Sequence, residues 1–183
     1  AGVPIDPPVE FTRPVEVDGK SHDARFRTVR MKAGVVPYGR VYYCHHFTRD
    51  LVWRDEWRHH ANGTVAVARM TIVEPAPDKA AQLYRDMFGA DAVRPIEGGQ
   101  AVIVGNARID ILTANALAAQ VGANAMPDAA GRNAYMAGLA FRTTSLARAA
   151  KVLEQGAIPC AERGGRLVVP AHAAMNAVIE FVE

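Results

Sequence analysis

Apolar residues in the second two-thirds of the chain recur first at strand spacing and then at helical spacing. Residues 64–73, TVAVARMTIV, form an apolar run that ends just before Pro75 and Pro77. The residues that follow repeat at helical spacing: Ala80, Leu83, Tyr84 and Met87. The pattern predicts a strand that leads at once into an amphipathic helix. Gly89 can adopt the left-handed conformation that closes the last turn of that helix.

The same arrangement returns about 67 to 70 residues later, and a repeat of that length indicates a duplicated supersecondary unit. Residues 137–143 read as a second strand, and residues 145–155 as a second helix that ends at Gly156. Three short apolar runs follow each helix: 91–95, 100–104 and 107–112 in the first copy, and 157–161, 166–169 and 177–182 in the second. We therefore predict an α+β fold of paired βαβββ units, 64–113 and 136–183, joined by the linker 114–135.

The first 63 residues follow a different pattern. A proline-rich opening predicts an extended arm, and the alternating run 24–31 with the aromatic-rich run 40–47 predicts a β-hairpin. Two strands alone are marginally stable in water, so this orphan hairpin needs the repeats, another chain or more of its own sheet to pack against. The charged connector 48–63 carries Trp53 and Trp57, which either attach the connector to the domain or form a stacking wall for a flat ligand.

Composition excludes several classes of protein. A formal charge of +2, from 21 basic and 19 acidic residues, provides no basic field for nucleic acid. No apolar run approaches the roughly 20 residues that a membrane helix needs. The two cysteines, Cys44 and Cys160, lie in unrelated contexts, which favours a reducing compartment. We expect a cytoplasmic protein that binds neither nucleic acid nor membrane.

The tandem units, the first helix ending in Phe88-Gly89 and the closing strand 178–182, VIEFV, resemble the vicinal oxygen chelate superfamily. Within it the chain is most similar to the glyoxalase-like domain proteins, relatives of glyoxalase I, bleomycin-resistance proteins and extradiol dioxygenases. The likeness covers residues 64–183, and the stretch 52–64 adds to it. The hairpin is similar to the last strands of a preceding unit, which would imply a further domain upstream.

The resemblance implies that paired units enclose a cavity in which side chains of the first and last strands hold a divalent metal such as Mn, Fe, Zn or Ni. Such an ion acts as a Lewis acid on two adjacent substrate oxygens. Glu180 and Asp110 match the last-strand carboxylate positions of the two units. The first-strand positions carry Arg69 and Gly138 in place of histidine, so the chain either holds a metal by other ligands or holds none.

The candidate residues follow from these positions. Glu180 and His172 are the candidate catalytic residues, and His45 with Glu180 is the candidate metal pair. The candidate ligand-binding residues are Arg69, Asp110, Arg142, Trp53 and Trp57.

Three functions remain open. The first is a glyoxalase-like protein that binds a small organic ligand between the units, as a metal-dependent lyase, isomerase or dioxygenase. The second is a binding or sequestering protein without catalysis, similar to bleomycin-resistance proteins. The third is a half-barrel that completes a partner's sheet, as a homodimer or with an upstream segment of the same polypeptide.

Overall fold

Residues 2–183 are described by the computed structural model and divide into two units. The N-terminal unit is Gly2–His59, and the C-terminal unit is His60–Glu183.

The N-terminal unit is built on an antiparallel sheet of three strands in the order β1-β2-β3. These strands are β1 (Val9–Val17), β2 (Lys20–Arg30) and β3 (Tyr42–His46). The prediction of an extended arm is therefore wrong for residues 9–17, and the predicted two-stranded hairpin is the second half of a three-stranded sheet.

Local chemistry explains β1. Asp18 and Gly19 connect β1 to β2 with φ angles of 52° and 72°. Two consecutive positive φ angles are the requirement of the tight hairpin turn that Asp-Gly favours. Pro14 lies within β1, but β1 is at the edge of the sheet, where a missing backbone N–H is tolerated.

The connector that follows has two short 3₁₀ turns, Arg49–Leu51 and Asp55–Arg58, rather than one helix. Trp53 lies between the turns and Trp57 within the second, so the two tryptophans do not share a continuous helical face. Both indole rings are half exposed.

The C-terminal unit has one sheet of eight strands and three α-helices. In chain order these are β4 (Thr64–Val73), α1 (Pro77–Phe88), β5 (Val93–Ile96), β6 (Gly99–Val104), β7 (Ala107–Leu112), α2 (Ala114–Val121), β8 (Tyr135–Thr143), α3 (Leu146–Gln155), β9 (Ala161–Arg163), β10 (Arg166–Val169) and β11 (Val178–Val182).

The strand order, β5-β6-β7-β4-β8-β11-β10-β9, makes the duplication visible. In each half the first strand pairs in parallel with the last, β4 with β7 and β8 with β11. The two first strands pair antiparallel in the middle of the sheet. The predicted α+β fold of paired βαβββ units is confirmed.

The two outer helices begin and end much as their sequences predict. Pro77 stands in the first turn of α1, and Gly89 ends the helix with a φ angle of 93°. Ser145 caps α3 by accepting a hydrogen bond from the backbone N–H of Arg148. Gly156 ends α3 at a φ angle of −82°, and the positive φ falls on Ala157 instead.

Three predicted strands shift. Residues 157–160, predicted as strand, form a turn and loop, and β9 begins only at Ala161. A short 3₁₀ turn, Ala90–Ala92, takes the place of the start of the predicted strand 91–95. β8 begins at Tyr135, earlier than predicted.

The core of the C-terminal unit lies on both faces of the sheet. On one face α3 covers Leu167, Val169 and Phe181. On the other, α2 covers a cluster that includes Leu112, Val168 and Val178. Because side chains alternate along a strand, Leu112 shares its face with Asp110, and Val178 shares its face with Glu180. The linker helix α2 thus lies over one end of the face that carries both carboxylates.

None of the three α-helices in residues 2–183 combines the length and apolar character needed to cross a bilayer.

Candidate functional site

Adjacent strands align charged side chains in one row across the middle of the eight-stranded sheet. Arg69 on β4 pairs with Arg108 on β7 and, on its other side, with Ala140 on β8. Ala140 in turn pairs with Glu180 on β11. Directly opposed residues point to the same face of a sheet, so Arg108, Arg69 and Glu180 share one face.

Small side chains under this row allow Arg69 to reach across β8. Neighbouring strands lie about 4.8 Å apart, so Arg69 and Glu180 start about 10 Å from one another across β8. Ala140 lies between them, and Gly138 lies opposite Thr71 in the next row. A larger residue in place of Ala140 would lie in the path of the guanidinium group.

Arg69 is the centre of a buried ion-pair network. Its Nη2 donates to Oε1 of Glu180 at 2.5 Å, and its Nε lies 3.5 Å from Oδ2 of Asp110. The side chain of Arg69 is 12% exposed, and those of Asp110 and Glu180 are 1% and 4% exposed. The guanidinium group of Arg69 therefore offsets some of the negative charge of both carboxylates. Without it, the two carboxylates would repel one another.

Two further arginines complete the network. Nη2 of Arg108 donates to Oδ2 of Asp110 at 2.8 Å, and Nε of Arg166 on β10 lies 2.8 Å from Oε2 of Glu180. The Arg166 contact is an ion pair by distance but does not have hydrogen-bond geometry. We call Arg69, Arg108, Arg166, Asp110 and Glu180 the arginine–carboxylate cluster. Its three guanidinium groups and two carboxylates carry a formal charge of +1.

Arg108 is the member of the cluster best placed to meet a ligand, and the buried Asp110 lies beside it. The side chain of Arg108 is 37% exposed, the most open of the three arginines. Oδ1 of Asp110 is buried and accepts no hydrogen bond. A buried acceptor without a donor is costly, so a hydroxyl or amide donor that reached Oδ1 would gain a favourable interaction.

The end of α2 borders the cluster. Nη2 of Arg166 donates to the backbone carbonyl of Gln120, in the last turn of α2, at 3.2 Å. Unpaired carbonyls make the end of a helix partly negative, so this contact is favourable for a cation. Leu117 and Val121 hold α2 in place through the apolar cluster beneath it.

The structure brings together some of the predicted site residues. Arg69, Asp110 and Glu180 meet, as the strand pattern indicates. Arg142 lies opposite Val182, two residues beyond Ala140 on β8, and points to the same face. It is exposed and makes no ion pair with the cluster.

His172 lies elsewhere. It stands on the short turn Ala171–Ala173 and lines a cavity of about 220 Å³ with Cys160 and Arg163, beside the end of α2. None of the cluster residues lines that cavity, and His172 makes no hydrogen bond or ion pair with Glu180. A joint acid–base role for Glu180 and His172 therefore has no contact to support it.

The remaining candidates belong to the N-terminal unit. His45 is exposed on β3, and its ring packs edge-on against Phe47. Nε1 of Trp53 donates to Nδ1 of His46 at 3.2 Å. Arg49 lies over the ring of Trp53, and Arg54 over the ring of Trp57. The tryptophans already have cation–π partners within their own connector.

The donor set does not fit a metal of the kind that the resemblance implies. Both oxygens of Glu180 face guanidinium groups, and Oδ2 of Asp110 faces two. The first-strand positions hold Arg69 and Gly138, neither of which can coordinate a cation. Within residues 2–183, no three or more His, Cys, Asp and Glu side chains are grouped as metal ligands.

Sequence reasoning missed Arg108 and Arg166. Arg108 could have been found, since it precedes Asp110 by two residues on an alternating strand and so shares its face. Arg166 starts β10, and only the pairing of Val168 with Glu180 shows that it lies beside that carboxylate.

Comparisons with known proteins agree with the resemblance. Residues 1–88 match the family model described as Glyoxalase-like domain. This match covers the N-terminal unit, β4 and α1, whereas the motifs noted in the sequence lie mostly in residues 64–183. No curated protein sequence matches the chain.

Two solved structures are similar. One is methylmalonyl-CoA epimerase from Mycobacterium tuberculosis, at 16% identity and a TM-score of 0.49, over 68% of this chain and 95% of that one. The other is a hypothetical protein from Staphylococcus aureus, at 8% identity and a TM-score of 0.59, over 98% of this chain. This chain spans 56% of the length of the Staphylococcus protein.

Proposed function

We propose that this chain, whose residues 1–88 match the glyoxalase-like domain model, is a member of the vicinal oxygen chelate superfamily that binds a small organic anion at the arginine–carboxylate cluster without a metal ion. The observation that carries the proposal is the surplus of guanidinium groups, with Arg108 open to solvent above a buried Asp110. A planar guanidinium can hold a carboxylate through two parallel hydrogen bonds.

Asp110 narrows the ligand class. Oδ1 of Asp110 has no donor and is enclosed, so our proposal requires the exposed Arg108 side chain to move when it takes up the ligand's carboxylate, which lets a neighbouring hydroxyl group donate to Oδ1. A small 2-hydroxy acid offers both groups on adjacent carbons, so it keeps the two neighbouring oxygens that the family resemblance implies. Guanidinium groups take the place of the metal as the positive charge that meets those oxygens.

This proposal favours binding over metal-dependent lyase, isomerase or dioxygenase chemistry. Each carboxylate that would serve as a ligand or base is held by arginine. Carboxylate oxygens that already accept charge-assisted hydrogen bonds from guanidinium groups are less available to coordinate a metal or to contact a substrate.

The test is a binding titration followed by NMR with lactate, acetate and propane-1,2-diol as probes. We expect lactate to bind more tightly than acetate, and the uncharged diol not to bind. Arg108→Ala should weaken lactate binding about tenfold, the effect of about 1.4 kcal/mol for one charge-assisted contact. Arg94→Ala removes an exposed arginine of edge strand β5 and is the charge-matched control.

Two results would contradict the proposal. Equal loss of lactate binding in Arg108→Ala and Arg94→Ala would show a general effect of charge. Loss of binding after dialysis against a chelator, with recovery on adding a divalent ion, would favour the metal-dependent alternative.

A further inference from the structure

A second concave site lies in the N-terminal unit, apart from the cluster residues. It has a volume of about 460 Å³, within the usual range for small-molecule pockets. Its walls come from the segment around Asp6, the end of β2 with the loop after it, and the start of β3. The lining residues used below are Asp6, Arg30, Met31, Lys32, Arg40 and Tyr42. We call this site the basic pocket.

Cations dominate the basic pocket. Arg30, Lys32 and Arg40 line it against a single carboxylate, that of Asp6. Within residues 2–183, none of these four side chains forms an ion pair. Like charges around a concavity raise its potential and concentrate anions there. The pocket therefore has a formal excess of two positive charges, and its cations are in no ion pair with any of residues 2–183.

Backbone hydrogen bonds fix the walls. The N–H of Met31 donates to the carbonyl of Val41 at 3.0 Å, and the N–H of Lys32 donates to the carbonyl of Pro4 at 3.1 Å. The N–H of Asp6 donates to the carbonyl of Arg30 at 2.9 Å. The segment that carries Arg30 and Lys32 is thus bonded to both neighbouring segments, which reduces the ordering that a ligand must impose.

The pocket also has apolar surface for the rest of a ligand. Met31, Val36 and Tyr42 line it, and the ring of Tyr42 is 57% exposed whereas the other two side chains are almost buried. An exposed aromatic ring next to cations suits a ligand that combines a flat ring with an anionic group.

We propose that the basic pocket binds an aromatic phosphate ester, with the phosphate held by Arg30, Lys32 and Arg40 and the ring against Tyr42. A phosphate carries close to two negative charges at neutral pH and offers three acceptor oxygens, which matches the excess charge and the number of cations. This site is independent of the function proposed for the arginine–carboxylate cluster.

The test is calorimetric titration of the whole chain with phenyl phosphate, inorganic phosphate and phenol. We expect phenyl phosphate to bind best, inorganic phosphate less well and phenol not measurably. Lys32→Ala and Arg40→Ala should each weaken phenyl phosphate binding about three- to tenfold, a range set by the solvent exposure of these side chains. Tyr42→Ala should remove the advantage of phenyl phosphate over inorganic phosphate.

Controls separate this site from general charge and from the cluster. Lys20→Ala removes an exposed lysine of the same unit, at the turn end of β2, and should leave binding unchanged. If Arg108→Ala weakened phenyl phosphate binding as much as Lys32→Ala, the ligand would be bound at the cluster and the proposal would fail. Equal weakening in Lys20→Ala and Lys32→Ala, or no phenyl phosphate binding to the unaltered chain, would overturn the proposal.

Discussion

Gly138 in the second βαβββ unit occupies the sheet position that Arg69 occupies in the first. Asp110 pairs with Thr71 across the parallel strands of the first unit, and Glu180 pairs with Ala140 in the same way in the second. Thr71 and Ala140 are therefore equivalent positions of the two first strands. The residues two positions earlier, Arg69 and Gly138, are equivalent as well. Because glycine supplies no side chain, a single central guanidinium serves both carboxylates, and the duplicated framework has an asymmetric charged centre.

Replacement of Arg69 should be the most damaging single change in the cluster. Arg69→Met keeps much of the side-chain volume but removes the charge shared by Asp110 and Glu180, both almost fully buried. Breaking a buried ion pair on one side costs about 3–5 kcal/mol, and Arg108 and Arg166 should keep the loss near the lower figure. Urea denaturation of Arg69→Met and the unaltered protein measures this loss in the free energy of unfolding. Arg94→Met, at an exposed position, should change the free energy of unfolding by at most about 0.5 kcal/mol, and comparable losses in both variants would argue against a shared central charge.

Two glycine replacements should have effects of opposite sign. A Cβ atom at Gly138 would lie 2.4 Å from the carbonyl oxygen of Val178 on the neighbouring strand, so Gly138→Ala should destabilise the protein by about 1–3 kcal/mol. Gly156 has a φ angle of −82° and only ordinary contacts for a Cβ. Gly156→Ala should therefore stabilise by about 0.4–1 kcal/mol, through the lower entropy of the unfolded chain. Thermal unfolding should show a lower Tm for Gly138→Ala and a higher Tm for Gly156→Ala than for the unaltered protein. A higher Tm for Gly138→Ala would contradict the close approach of β8 and β11.

Divalent metals should not stabilise the protein. Protein purified without chelator should contain no stoichiometric Mn, Fe, Zn or Ni by elemental analysis, because guanidinium groups face both oxygens of Glu180 and Oδ2 of Asp110. Addition of each ion should leave the Tm unchanged, since an ion that does not bind the folded state cannot shift the folding equilibrium. A stoichiometric ion that disappears in Glu180→Gln would reverse this prediction.

Alkaline pH should reveal the burial of Tyr135. Burial raises the pKa of this phenol above its ordinary value of 10.0, Asp128 raises it further, and Arg132 opposes the rise. Above the ordinary pKa the unfolded chain loses the phenolic proton while the folded chain keeps it, so the free energy of unfolding falls as pH rises. Tyr135→Phe should lose less stability than the unaltered protein between about pH 9 and about pH 11.

The control for this titration is Tyr42→Phe, at an exposed tyrosine of β3. Denaturation at a series of pH values compares the pH dependence of Tyr42→Phe, Tyr135→Phe and the unaltered protein. If Tyr135→Phe has the same pH dependence as the unaltered protein, Tyr135 does not contribute to alkaline destabilisation.

The sequence predicted the secondary structure of residues 64–183 better than that of residues 1–63. The apolar periods predicted β4, α1 and most strands of both units, but they misplaced β9, which the sequence put at 157–161 and the structure has at Ala161–Arg163. It failed at β1, where Pro14 and flanking charges obscured a strand that alternates at Val9, Phe11, Val15 and Val17. The Asp18-Gly19 pair was the missed signal, since it favours the turn that joins β1 to β2.

At the candidate site, too, the sequence predicted some features and left others to the tertiary structure. Alternation along β7 and β11 indicated that Asp110 and Glu180 each point away from their apolar neighbours, because that direction is set within a strand. It could not show that Arg166 lies beside Glu180, that His172 lines a different cavity, or that Tyr135 shares the face that α2 covers. Those relations depend on strand order and register between distant segments.

By itself, then, the sequence determined the two βαβββ units, the ends of their helices and the alternation that turns each carboxylate away from its apolar neighbours. These follow from local dihedral preferences and from the burial of apolar side chains at fixed periods. Only the tertiary structure decided that one arginine stands between two carboxylates from different units and that three unpaired cations surround a pocket on the other unit. Charges attract or repel according to their distance in space, and that distance is set by how the strands pair.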